Sequence, residues 1–83
     1  MRMNLKFAAE INGKNYLLST VELPYYSSSG QYESMVFAVS KKGLVNYDAL
    51  YVRNYYLVEE AQKQHEILVD KMKHGVKFWD YEA

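Results

Sequence analysis

Residues Met3 to Ile11 alternate, with Met3, Leu5, Phe7, Ala9 and Ile11 on one side and Asn4, Lys6, Ala8 and Glu10 on the other, and Asn12-Gly13 follows at once. Alternation with period two marks a half-buried strand. Asn-Gly best tolerates the two positive φ angles of a type I′ turn, which folds a strand tightly back on itself. Together the two features specify a register. With Asn12 and Gly13 as the loop, Ile11 faces Lys14, Ala9 faces Tyr16, Phe7 faces Leu18 and Leu5 faces Thr20. Lys6 and Glu10 then meet Ser19 and Asn15 on the opposite face, so the pairing keeps the two faces distinct in character. A β-hairpin over residues 1–23 is expected.

The second strand should stop near Leu23, because Pro24 has no N–H to offer a ladder. Residues 24–31 form a polar loop opening on Tyr25 and Tyr26. It can be a binding loop, or a connection whose tyrosines lie down on the sheet. Tyr32 to Ser40, YESMVFAVS, is apolar for most of its length and suits a central strand covered on both faces. Met35, Phe37 and Val39 make one row and Ser34, Val36 and Ala38 the other. Lys41-Lys42-Gly43 turns the chain. Asn46 and Asp48 suggest an irregular connection. Leu50 to Tyr55 reads as a fourth strand, alternating Leu50, Val52 and Asn54 against Tyr51, Arg53 and Tyr55, with an early helical turn as the alternative.

The segment 57–74, LVEEAQKQHEILVDKMKH, is long and periodic enough for a helix. Val58, Ala61, His65, Leu68 and Met72 fall on one stripe at spacings of three and four. Glu59 and Glu60 stand in the first turn and Lys71, Lys73 and His74 in the last, as the helix dipole favours. Gly75 is a natural residue just past the end. Residues 75–83 form an aromatic tail that can add an edge strand, pack on the sheet, or be held by a second subunit. The fold expected is a single α+β domain over 1–83. In it an antiparallel sheet of three to four strands (32–56 supplying the second half) carries the helix on the face bearing Leu5, Phe7, Leu18 and Phe37.

The chain has no cysteine, which removes disulfides, thiolate metal sites and cysteine nucleophiles together and favours a reducing compartment. Ten basic and ten acidic residues cancel, so the electrostatic footprint of a duplex-nucleic-acid binder is missing. No apolar run approaches the ~20 residues that span a bilayer, and Glu10 interrupts any signal-peptide core, so a cytoplasmic protein without a membrane partner is expected. His65 has no Cys, Asp or second His at helical metal spacing and reads better as a packed or interface histidine hydrogen-bonded to a strand. The serines lack a nucleophile-elbow context, no glycine-rich phosphate loop exists, and the carboxylates are scattered. Catalytic residues, metal ligands and cofactors are therefore all expected to be none, and the chain is expected not to be an enzyme.

Nine tyrosines and one tryptophan are the unusual feature. A tyrosine-rich sheet is ordinary for a small β domain, yet tyrosine is also a preferred interface residue. Two binding classes follow. In the first, a protein-binding or homo-oligomeric module uses Tyr25, Tyr26, Tyr47, Tyr51, Tyr55, Phe78, Trp79 and Tyr81 as aromatic anchors. In the second, a single-stranded nucleic-acid binder stacks bases on sheet tyrosines, with Lys41, Lys42 and Arg53 at the phosphates. Zero net charge favours the first.

At Tyr32-Glu33-Ser34-Met35-Val36-Phe37, and again at Glu59-Glu60-Ala61 with His65-Glu66 and Val69, the chain resembles small uncharacterised proteins of bacteriophages and prophages of Gram-positive bacteria. The likeness includes the hairpin opening EINGKNYLLSTVEL and covers most of residues 4–72. Ser34 stands where that pattern usually has threonine, and the 24–30 loop and 41–48 turn look particular to this chain. The resemblance implies a phage setting, a location in the host cytoplasm, and a host or phage protein as partner. It implies no activity and assigns no functional residue.

Overall fold

The computed structural model describes residues 2–25 and 30–80. β1 (Asn4–Ile11), β2 (Lys14–Glu22), β3 (Tyr32–Val39) and β4 (Val45–Tyr55) form one antiparallel sheet in the order β1-β2-β3-β4. α1 (Val58–Lys73) lies across one face, and a 3-10 turn (Phe78–Asp80) follows it. None of the described helices is long and apolar enough to cross a membrane.

The hairpin has the register its turn demands. Ile11 pairs with Lys14, Ala9 with Tyr16, Phe7 with Leu18 and Leu5 with Thr20. Asn12 and Gly13 both take positive φ, 53° and 80°. Across the sheet Leu18 pairs with Val36 and Val36 with Tyr51, so Phe7, Leu18, Val36 and Tyr51 form one row on the helix side.

That row corrects the expectation for Phe37. With Val36 facing the helix, a period of two turns Phe37 to the opposite face, where it pairs with Leu17. Met35, Phe37 and Val39 make the bulkier row of β3, which by side-chain size alone suits the core. Ser34, however, is needed on the helix side, where its hydroxyl is fully buried against Thr20, and it takes Val36 with it.

β4 is a strand throughout, and Tyr51, Arg53 and Tyr55 alternate against Val52 and Asn54 as expected. Its first half is offset. Val36 pairs with Tyr51 but Ala38 pairs with Asn46, which leaves residues 47–50 opposite Phe37 alone. The Asp48 amide donates to Asn46 Oδ1 at 3.0 Å, giving this extra length a local partner.

α1 buries Ala61, His65, Leu68 and Met72, with Val58 half-buried. Its C-terminus closes with the Gly75 amide on the Met72 carbonyl and the Val76 amide on the Lys71 carbonyl, the Schellman pair. The tail then turns inward. Trp79 lies against Tyr16 with ring centroids 4.7 Å apart, and Phe78 meets Tyr51 edge-on at 4.9 Å. Phe78 and Trp79 of the tail thus pack on the helix side of the sheet, joining Leu68 and Met72 in one core.

A candidate interaction surface

The side chains that alternate away from the helix make a second face. Its rows are Asn4-Val21-Glu33-Asn54, Lys6-Ser19-Met35-Val52, Ala8-Leu17-Phe37, and Glu10-Asn15-Val39-Val45. Among the described residues no helix or strand covers it. Val52 is 51% exposed, and Leu17, Val21, Met35 and Val39 are half-buried. Phe37 is shielded by Tyr47 from the offset part of β4, the rings meeting edge-on at 5.3 Å, while Tyr47 itself is 76% exposed. An apolar centre bordered by Lys6, Glu10 and Glu33 has the anatomy of an interface, with uncharged residues inside and charges at the rim.

The described residues among those singled out from the sequence divide between two environments. Tyr51, Tyr55, Phe78 and Trp79 are buried on the helix side and present no surface. Tyr25 is 65% exposed. Tyr26 and Tyr81 lie outside the described residues. Leu17, Met35 and Val52 were not singled out at all. The sign that could have found them was the double-sided apolarity of YESMVFAVS, which asks for cover on both faces when the helix supplies only one.

Beneath the helix the one polar cluster of the described core joins Thr20, Ser34 and His65. Thr20 Oγ1 lies 2.6 Å from Ser34 Oγ and 2.7 Å from His65 Nδ1. A hydroxyl carries one hydrogen and two lone pairs, so Thr20 can serve both neighbours. Burial holds the His65 pKa below its ordinary 6.5; Glu66 pulls it up and Lys6 pushes it further down. Burial also raises the Tyr55 pKa, with the Ser34 hydroxyl pulling the other way. A hydroxyl beside a neutral imidazole is the start of a nucleophile pair. Here both hydroxyls have no exposed surface, so no substrate reaches them, and the cluster pins the helix to the sheet. His65 is thus the strand-bonded histidine expected from the sequence. Among the described residues no three His, Asp or Glu side chains gather as a metal site requires.

No protein-family model matches the chain, and no characterised protein or solved structure matches it.

Proposed function

We propose that this is a small non-enzymatic interaction protein of phage or prophage type, at work in the bacterial host cytoplasm. It acts by protein–protein contact through the helix-free face of its sheet, as a virion or assembly accessory or as an inhibitor of a host component. What supports the reading is β3. It is apolar on both sides, but among the described residues its Met35 and Phe37 side has no covering element, only the edge-on ring of Tyr47. Such a strand gains most from a partner that brings the missing layer.

Single-strand nucleic-acid binding draws less support. Tyr16, Tyr51 and Tyr55 are buried on the helix side, unavailable for stacking on bases. The test is affinity capture of the tagged chain from host lysate, with and without nuclease, beside a Val52→Asp chain. A protein partner that survives nuclease and is lost with Val52→Asp supports the reading. Capture abolished by nuclease, or untouched by the substitution, overturns it.

A further inference from the structure

We infer that the partner on the helix-free face is a second copy of this chain, packed sheet to sheet about a two-fold axis that crosses the strands at the Ala8-Leu17-Phe37 row. The inference rests on the reading that this face makes protein contacts, and it names the occupant.

The observation that carries it is the placement of charge. Stacked sheets with two-fold symmetry can be related by an in-plane axis running either across the strands or along them. An axis along the strands, between β2 and β3, exchanges β1 with β4 and β2 with β3 while keeping the rows. It would set Lys6 on Val52, Glu10 on Val45 and Glu33 on Val21, three charges against apolar side chains. Desolvating a charge without a partner is strongly unfavourable.

An axis across the strands keeps each strand on its own copy and exchanges rows on either side of Ala8-Leu17-Phe37. Lys6 and Glu10 stand one row to each side of Ala8 on β1, so Lys6 of each copy meets Glu10 of the other. The row of Glu33 falls at the level of the basic turn Lys41-Lys42. Met35 meets Val39, Val52 meets Val45, and Leu17 meets its own copy. Lys6 and Glu10 thus find their opposites, and Met35, Val39, Val45, Val52 and Leu17 find apolar positions, while Val21 falls at the level of the Asn12-Gly13 turn. Stacked sheets lie about 10 Å apart, a gap that lysine and glutamate side chains bridge together.

Size and net charge agree with this. Four strands of about eight residues, ~4.8 Å apart and rising ~3.3 Å per residue, give a face of roughly 500 Å². Two such faces bury about 1,000 Å², the lower bound of specific interfaces, so a weak dimer is expected. Ten basic and ten acidic residues leave no long-range repulsion between copies.

The test is sedimentation velocity of the full chain over a range of concentrations at low salt, with circular dichroism confirming the fold of each variant. Lys6 and Glu10 are exposed, so both can be exchanged without touching the core. The parent chain is expected to dimerise with rising concentration. Lys6→Glu alone, or Glu10→Lys alone, sets like charges face to face twice per dimer and should weaken association by about tenfold. An equimolar mixture of the two single variants should associate as the parent does, because each supplies what the other lacks. The double exchange should do the same. A parent chain that stays monomeric throughout, or single exchanges without effect on a dimer, overturns the proposal. Neither result decides the interaction reading, which stands or falls on nuclease-resistant capture by the parent chain and its loss with Val52→Asp.

Discussion

His65 Nδ1 lies 2.7 Å from Thr20 Oγ1, and this contact makes the helix–sheet junction sensitive to acid. Burial holds the histidine pKa in the folded chain below the ordinary 6.5 of the unfolded one. The unfolded chain therefore takes up the proton first as pH falls. Stability conferred by the neutral imidazole is fully present above 6.5 and declines below it until the folded pKa is reached. Denaturant titrations at neutral pH and near pH 5 should show this loss in the parent, and His65→Gln should flatten it. Thr20→Val should cost about 1–3 kcal/mol by leaving Ser34 and His65 without their shared partner. An acid response unchanged by His65→Gln would place the sensitive group elsewhere.

The Trp79 ring packs on Tyr16 and is buried with Phe78 in the same core as Leu68 and Met72. Trp79→Ala should therefore cost about 3–5 kcal/mol, and Leu68→Ala on the helix about 2–5 kcal/mol. Trp79 is the chain's one tryptophan, so its fluorescence reports the core directly. Emission should shift to the red in the same cooperative transition that melts the helix. A tail that released its tryptophan first would show the aromatic segment to be an accessory layer.

What was legible in the sequence follows from how many constraints acted on each residue. The hairpin register was specified twice, by the Asn12-Gly13 turn and by the alternation of β1, and each left the same pairing. The helix stripe was legible because Ala61, His65, Leu68 and Met72 recur on one face. The face of β3 was not legible, since both its rows are apolar and the choice was made by a buried Ser34-Thr20-His65 cluster formed from three separate elements. The offset in β4 left no periodic trace, because residues 47–50 face a single residue. The tyrosines of β4 alternated as expected, but alternation alone does not say which side receives the helix. The candidate surface suffered most from this, since anchors chosen for aromaticity fell largely into the core.

Gly30 has φ 131°, and a Cβ there would stand 2.4 Å from the carbonyl oxygen of Tyr55. The same oxygen accepts the Gln31 amide at 2.9 Å, so the glycine lies directly over the last residue of β4. Gly30→Ala meets both a backbone clash and a φ that side chains disfavour, and neighbouring backbone cannot yield as a flexible side chain would. A loss of at least about 2 kcal/mol is expected. Hydrogen exchange should show the Gln31 amide losing protection. Protection and stability equal to the parent would mean that the β3–β4 junction relaxes freely.

Val52 and Tyr25 separate the two surfaces on which a partner could act. Both are exposed, Val52 on the helix-free face and Tyr25 in the connection between β2 and β3. Val52→Asp and Tyr25→Ala should each change stability by no more than about 0.5 kcal/mol, as surface substitutions away from caps and cores do. Their effects on binding should differ. An acid at position 52 puts an unpaired charge beside Met35 on the apolar face, where any covering layer would have to desolvate it, so capture should fall at least about tenfold. Tyr25→Ala should leave capture unchanged. The reverse pattern would move the contact surface to the loop after Pro24, the first of the two readings open to that segment from its sequence.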